Sequence, residues 1–125
     1  MLVLKFSYCE IFARYIAAHL RVLIGMELVR RYGYSQFRAA KEVEVAQPLL
    51  NYLLSGKGRS PYLESLRSNE DIMEVVKGFA ERIARGEKLT MCGMCSELRK
   101  RGLLAVLVKN IDVCRKRCDA VLPHL

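Results

Sequence analysis

The chain has 125 residues, enough for one domain with a modest hydrophobic core, and its 52% of apolar residues exclude an intrinsically disordered protein. The 21 Lys and Arg against 13 Asp and Glu give a net charge of +8, which favours an anionic partner, nucleic acid first and an acidic membrane surface second. No run of about 18 uncharged apolar residues occurs, so we expect no membrane-spanning helix. The short apolar start, closely followed by Glu10 and Arg14, does not resemble a secretory signal, and we therefore expect a cytoplasmic protein.

Helical periodicity dominates the first half of the chain. Apolar residues recur at steps of three and four through residues 11–31, and Gly33 follows as a natural stop, which predicts one long helix. Two short helices are predicted next, over residues 35–43 and 47–55. A basic, flexible loop is predicted after them, at residues 56–61.

The second half is also predicted to be mainly helical. A short helix is expected over residues 62–67. The next helix is predicted to start at Ser68, which together with Asp71 resembles a capping box. A last helix is expected over residues 95–101, before an apolar run at residues 103–108 that fits a short strand or a buried helix equally well. The predicted apolar stripe of the helix after Ser68 consists of Ile72, Val75, Val76, Phe79 and Ile83.

Residues 34–57 combine the features of two short helices that cross closely. Ala40 supplies the small residue needed where such helices touch. Ser35 can cap the first helix, and Pro48 suits the first turn of the second. The residues spaced to close a small core beneath the helices are Val45, Leu50 and Leu53. The segment therefore predicts a helix-turn-helix.

The outer side chains of the second short helix have a chemistry that suits DNA. Gln47 and Asn51 can make paired hydrogen bonds to adenine edges in the major groove, whereas Leu49 offers only apolar contact, such as to a thymine methyl group. Polar and basic residues around the helix are expected to contact phosphates. The predicted DNA-binding residues are Ser35, Gln36, Arg38, Gln47, Pro48, Leu49, Asn51, Tyr52, Ser55, Lys57 and Arg59.

This segment resembles the Cro and lambda-repressor-like (XRE-type) helix-turn-helix family. The matching residues are Ser35-Gln36, Ala40, Val45, Gln47, Leu50, Leu53 and Ser55-Gly56-Lys57. The resemblance implies that Gln36 and Gln47 buttress each other and touch DNA, and that the helix from Gln47 enters the major groove. Glu44 departs from the family, which often has a left-handed glycine in the turn, and a non-glycine residue there costs roughly 1 kcal/mol.

The wider chain is similar to a group of archaeal predicted transcriptional regulators. In that group a Cys-Glu helix, a Cro-like helix-turn-helix and a Cys-x2-Cys region occur in this order, and Cys9-Glu10, residues 34–57 and residues 92–99 match them here. The resemblance also implies a further cysteine and a histidine after the last helix. Ala105 and Val106 stand in that stretch instead, and no histidine is present there.

Five cysteines are present, and four of them form two close pairs. Cys92 and Cys95 make a Cys-x2-Cys pair, and Cys114 and Cys118 make a Cys-x3-Cys pair. Four thiolates at this spacing could bind zinc tetrahedrally or hold an iron–sulfur cluster. Free thiols and disulfides remain open as alternatives, in which case no cofactor is bound. Cys9, on an apolar helix start, is interpreted as a packing residue.

The sequence therefore predicts an all-α, multi-helix bundle with a lambda-repressor-like helix-turn-helix. Residues 1–88 are assigned to a helical DNA-binding domain, and residues 89–125 to a small cysteine-rich extension that serves as a metal site or a dimerisation element. The predicted function is a sequence-specific regulator of transcription, not an enzyme, that binds double-stranded DNA as a homodimer and responds to metal or redox state if the cysteines act as a sensor.

Two alternatives from other functional classes remain open at this point. The first is a basic helical adaptor, in which Leu49 and Tyr52 serve a groove of a protein partner instead of DNA. The second is a thiol-disulfide oxidoreductase that uses Cys92 and Cys95, although such motifs usually open a helix in a strand-helix-strand fold.

Overall fold

The computed structural model describes residues 8–57, 61–103 and 106–107. Every regular element in these ranges is helical, which confirms the predicted all-α class for the described part of the chain. The elements are α1 (Tyr8–Ile11), a π-helical turn (Phe12–Ile16), α2 (Ala17–Tyr32), α3 (Gln36–Val43), α4 (Gln47–Leu54), α5 (Pro61–Arg67), α6 (Glu70–Ala84) and α7 (Met91–Lys100). The division at residue 88 into two domains stays a prediction.

The first three elements follow one another without a break and form one long helical segment. The π-helical turn in its middle was not predicted from the sequence. The segment ends as predicted at Gly33, which has a φ of 69° and whose N–H donates to the carbonyl of Leu28. Glycine adopts this left-handed conformation without the steric cost of a side chain, so the helix stops there.

The hydrophobic core is arranged around α2, which packs against α3, α4 and α6. Each large side chain buried in this way contributes roughly 1.5–3 kcal/mol relative to an exposed one. The fully buried residues include Leu20, Leu23 and Leu28 of α2, Leu50 of α4, Leu66 of α5, Ile72 and Val76 of α6, and Met94 and Leu98 of α7. The described helices α2 to α7 therefore all contribute to one apolar cluster.

The start of α6 differs from the prediction. Asn69, not Ser68, caps the helix, because the Asn69 Oδ1 accepts the N–H of Ile72 at 3.1 Å. The Ser68 hydroxyl instead donates to the carbonyl of Glu64 at 2.8 Å, at the end of α5, so it is not available as a cap. The predicted apolar stripe of this helix is buried, except for half-buried Ile83.

The helix predicted over residues 95–101 also begins earlier than predicted, at Met91 instead of Cys95. The reason is a cap that the prediction missed: the Thr90 Oγ1 accepts the N–H of Gly93 at 3.0 Å. A threonine cap satisfies an N–H that would otherwise lack a partner at the start of a helix. As a result, both cysteines of the Cys-x2-Cys pair lie within α7.

The apolar run at residues 103–108 is described in part. Leu103 and Leu107 are buried, and residues 106–107 are helical. The Tyr62 hydroxyl donates to the carbonyl of Leu107 at 3.3 Å, which ties this run to α5. Within the described ranges no helix has both the length and the apolarity needed to cross a bilayer.

Candidate nucleic-acid interface

The first of the two predicted short helices is capped by Ser35, as the sequence predicted. The Ser35 Oγ accepts the backbone N–H of Arg38 at 3.1 Å, and the cap residue itself is extended. Ala39, Ala40 and Val43 are buried, so α3 lies with its small apolar face against its neighbours. The predicted close-contact residue, Ala40, is only 3% exposed.

The turn between α3 and α4 contains a left-handed residue at the position where the family resemblance implied one. Glu44 has φ 56° and ψ 49°, and its N–H is directed at the carbonyls of Ala40 and Lys41. The guanidinium of Arg21 in α2 donates to the Val43 carbonyl at 3.0 Å, and its Nη1 lies 3.6 Å from the Glu44 Oε2. Arg21 therefore binds the turn to α2 through the last carbonyl of α3.

A glycine on α2 allows both short helices to approach closely. An ideal Cβ placed on Gly25 would lie 3.2 Å from the Val43 Cγ2 and 3.4 Å from the Leu50 Cδ1. Gly25 is therefore the contact point for α3 and α4 together. The sequence interpretation missed this role, although a glycine inside an apolar helical pattern was the available signal.

The second short helix, α4, projects its polar side outward. Leu50 is fully buried, whereas Leu49 is 46% exposed and Tyr52 is 52% exposed. The exposed side chains of its outer face are Gln47, Pro48, Leu49, Asn51 and Tyr52. The predicted orientation of this helix is confirmed, and its outer face, defined by those five residues, is called the α4 face below.

The apolar contacts beneath the pair match the predicted positions in part. Leu50 fills the centre, while Val45 and Leu53 are half-buried and pack at the margin of the core. Pro48 occupies the first turn of α4, and Ala46 is the cap position without a side-chain hydrogen bond. The start of α4 therefore depends on Pro48 and on packing, not on a polar cap.

The family resemblance implied that two glutamines buttress each other, but no hydrogen bond joins their side chains in this structure. Gln36 is half-buried and Gln47 is exposed. Among the hydrogen bonds of residues 8–57, none joins their side chains. Mutual buttressing of Gln36 and Gln47 therefore stays an expectation for a complex with DNA.

Three cations lie on or beside the α3–α4 pair: Arg38, Lys41 and Lys57 are exposed. In the described ranges no carboxylate lies within ion-pair distance of any of them. The Arg38 guanidinium lies over the Tyr34 ring, 4.1 Å from its centroid, and this contact limits the freedom of the Arg38 side chain.

Ser55, another predicted phosphate contact, is exposed, but its hydroxyl donates a hydrogen bond to the Tyr52 carbonyl at 2.8 Å. Arg59 lies outside the described residues.

Phe37 is an exposed aromatic residue that the sequence interpretation missed. It is the second residue of α3, and 63% of its surface is exposed. The buried positions of α3 are Ala39, Ala40 and Val43, and the helical register set by them places Phe37 off the buried stripe. The spacing of the small apolar residues along α3 was therefore the signal that could have identified Phe37 as a surface residue.

His19 lies behind α4 and lines a small apolar hollow with Leu49 and Leu53. Its ring meets the Tyr62 ring edge-on, with centroids 4.8 Å apart, and its Nδ1 is 2.9 Å from the Tyr15 carbonyl oxygen. Burial lowers the pKa of His19 below its ordinary value, and the hydrogen bond to Tyr15 only partly opposes this effect. We therefore expect a neutral imidazole at neutral pH.

The two described cysteines of the predicted metal site differ in accessibility. Cys92 is exposed and Cys95 is buried, and both lie on α7. Cys114 and Cys118 lie outside the described residues, so the predicted four-thiolate site stays a prediction. Within the described ranges, no group of three or more His, Cys, Asp or Glu side chains is placed to hold a metal ion. Those ranges also contain no strand, so the strand-helix setting expected of an oxidoreductase motif is not seen there.

Comparison of the chain with protein-family models, with curated proteins and with solved structures yields no match.

Proposed function

We propose that this chain is a sequence-specific DNA-binding regulator of transcription that acts in the cytoplasm, with α3 and α4 forming an XRE-type helix-turn-helix. The observation that carries the proposal is the α4 face. It exposes Gln47 and Asn51 on a short helix that buried Leu50 fixes against the core. A rigidly seated helix with outward amide side chains suits direct reading of base edges in the major groove.

The charges around the α4 face support the same function. Arg38, Lys41 and Lys57 are exposed and have no carboxylate partner among the described side chains, so they are available for phosphates. Phosphate contacts of this kind supply affinity and set the register of a protein on the duplex, while base contacts supply specificity. Glu42 and Glu44 are also exposed, but Glu44 faces Arg21.

We also propose that two copies of the chain bind one DNA site. Each α4 face offers few base-reading side chains, and two-fold pairing doubles the number of base pairs that are read. A dimer requires a target with two similar half-sites in inverted orientation. No catalytic reaction is part of this proposal.

The test is selection of duplexes from a random pool by the full chain, followed by affinity measurement on the enriched motif. We expect an inverted repeat, and about a tenfold or greater loss of affinity for Asn51→Ala, because one bidentate base contact accounts for about 1–3 kcal/mol of discrimination. Lys77→Ala on α6, an exposed residue outside the α4 face, is the matched control and should bind as the unmodified chain does. The proposal fails if no motif is enriched or if Asn51→Ala binds the motif unchanged.

A second candidate function is favoured by the exposed apolar side chains. Phe37, Leu49 and Tyr52 are between 46% and 63% exposed, and such residues often anchor a protein partner. In this alternative the α4 face binds a protein groove, and Tyr52→Ala would abolish the interaction. Salt distinguishes the two functions, because binding to DNA weakens steeply as ionic strength rises.

A further inference from the structure

A cleft of about 610 Å³ separates the long N-terminal helical segment from α7. Its volume lies within the range of roughly 300–1,000 Å³ that small-molecule sites occupy. The main apolar contacts come from Phe12, Ala13 and Ala17 on one wall and from Met91 and Cys95 on the other. The cleft is therefore large enough and apolar enough for a ring system or a short hydrocarbon chain.

Two features of the sequence keep this cleft open. The wall formed by the N-terminal segment carries small side chains at Ala13, Ala17 and Ala18, which leave space that larger residues would fill. Phe12 and Ala13 also belong to the π-helical turn, and π-helical turns inside α-helices are frequent at functional sites. The π-helical turn therefore forms part of the wall of the cleft.

The charges at the edge of the cleft are unbalanced. Arg21, Glu44 and Arg99 line it, and the two arginines against one glutamate leave a single positive charge. Arg101, two residues beyond Arg99, contacts the carboxylates of Glu97 and Glu74 at 3.1 and 3.3 Å. No carboxylate in the described ranges pairs with Arg99 in this way, so its guanidinium is available.

We propose that this cleft binds a small amphipathic molecule with an apolar ring or chain and one anionic group, and that Arg99 is the partner of that group. The apolar part lies between Ala13 and Met91, and the anionic group makes a charge-assisted hydrogen bond with the guanidinium. A single negative charge complements the net charge of the edge.

The position of the cleft also allows a bound ligand to affect the α4 face indirectly, through Arg21. Arg21 lines the cleft and at the same time holds the Val43 carbonyl in the turn before α4. A ligand anion that also draws Arg21 away from the Val43 carbonyl would remove the hydrogen bond that holds that turn. This coupling between the ligand and the α4 face rests on the proposed DNA-binding function, whereas binding of the ligand to the cleft does not.

Another cleft, of about 530 Å³ between α2 and α6, does not offer the same complementarity. Its edge mixes cations and carboxylates, and Arg31 there is already paired with Glu27 at 2.8 Å. Four cations face three carboxylates there, so the net charge is again +1, but the carboxylates of Glu27, Glu70 and Glu74 would all repel an anion, whereas the described lining of the cleft beside α7 has only Glu44. The cleft beside α7 is therefore the better site for the proposed ligand.

The test uses two fluorescent probes and the full chain without DNA. The first probe is anilinonaphthalene sulfonate, an apolar anion, and the second is N-phenylnaphthylamine, an uncharged molecule of similar shape. We expect saturable binding of the sulfonate, and about a tenfold weaker affinity for it in Arg99→Gln, because a charge-assisted hydrogen bond is lost. The uncharged probe should bind Arg99→Gln as it binds the unmodified chain. Lys100→Gln, the exposed neighbour that does not line the cleft, is the matched control and should bind both probes normally.

A second variant locates the probe. Ala13 is exposed at the edge of the cleft, so Ala13→Trp fills the cleft without entering the core, and it should abolish binding of both probes. Circular dichroism and thermal unfolding check that the variant folds. The proposal is overturned if the full chain binds no sulfonate, if Arg99→Gln binds it normally, or if a folded Ala13→Trp still binds both probes. Because no DNA is present, these outcomes are independent of the test of DNA binding.

Discussion

At the scale of single residues, Gly25 has the most direct structural consequence. Its missing side chain lets Val43 and Leu50 lie against the backbone of α2. We expect Gly25→Leu to lower the free energy of unfolding by about 1–3 kcal/mol, because a larger side chain in a filled contact forces its neighbours apart. Urea denaturation measures the change.

Gly78 in α6 is the matched control for this substitution. A Cβ placed there would meet no atom within 4 Å. Gly78→Leu should therefore leave stability unchanged or raise it by up to about 1 kcal/mol, since leucine favours the helix more than glycine does. Equal effects at the two positions would show that Gly25 has no special packing role.

His19 predicts a pH dependence of stability. Its pKa in the folded chain lies below the ordinary value of 6.5, so the unfolded chain binds a proton first as the pH falls. The contribution of the neutral ring is fully present above pH 6.5 and is lost progressively below it. Thermal unfolding at about pH 7.5 and about pH 5.5 should show a smaller drop in Tm for His19→Gln than for the unmodified chain. An identical drop in both proteins would contradict the prediction.

At the scale of elements, the helix ends that were predicted most accurately are those that a single residue determines. Gly33 and Ser35 end and start helices through their own backbone or side chain, and both predictions are confirmed. The cap of α6 could not be assigned correctly, because Ser68 and Asn69 are adjacent and both residue types can cap a helix.

The π-helical turn was missed for a different reason. Tyr15 and Ile16 of this turn are buried in the core, and local periodicity does not reveal such tertiary packing.

The turn between α3 and α4 carries a prediction at the same scale. Glu44→Gly should raise the free energy of unfolding by up to roughly 1 kcal/mol, because glycine removes the steric cost of the left-handed conformation. The lost ion pair with Arg21 should matter little, since the Glu44 carboxylate is 79% exposed. The measurement is again a urea titration.

Glu42→Gly is the control for this change, because Glu42 is exposed within α3 just before the turn. Glycine in a helix costs roughly 0.5–1 kcal/mol, so this variant should be less stable. If Glu44→Gly is destabilised as much as Glu42→Gly, the Arg21 contact outweighs the strain at Glu44.

At the scale of the whole molecule, the net charge of +8 predicts a strong salt dependence of the proposed DNA binding. Each phosphate contact should contribute about −0.9 to the slope of log affinity against log salt concentration. Lys57→Gln should therefore make that slope shallower by about 1 while weakening binding to all sequences alike. The exposed Lys88, between α6 and α7, is the control, and Lys88→Gln should keep the slope. A slope near zero for the unmodified chain would exclude phosphate contacts as the source of affinity.

The candidate interface was largely predictable from the sequence, whereas the cleft beside α7 was not. The outward side chains of α4, such as Asn51, follow from the helical register around Leu50, which is local information. Phe37 was overlooked, although its register carried the same kind of signal. The cleft joins Ala13 to Arg99, and only tertiary packing brings positions so far apart in the chain together.

The π-helical turn at Phe12–Ile16 bears on changes of chain length as well as on shape. Such a turn is an α-helix that has absorbed one extra residue locally, so the helix on either side of it keeps its rotational register. Loss of a single residue from this stretch would therefore restore a regular α-helix and leave both α1 and α2 in place, whereas loss of a residue from the regular part of α2 would rotate everything on one side by about 100°. Homologous chains with one residue fewer here should keep the same core and the same orientation of α1.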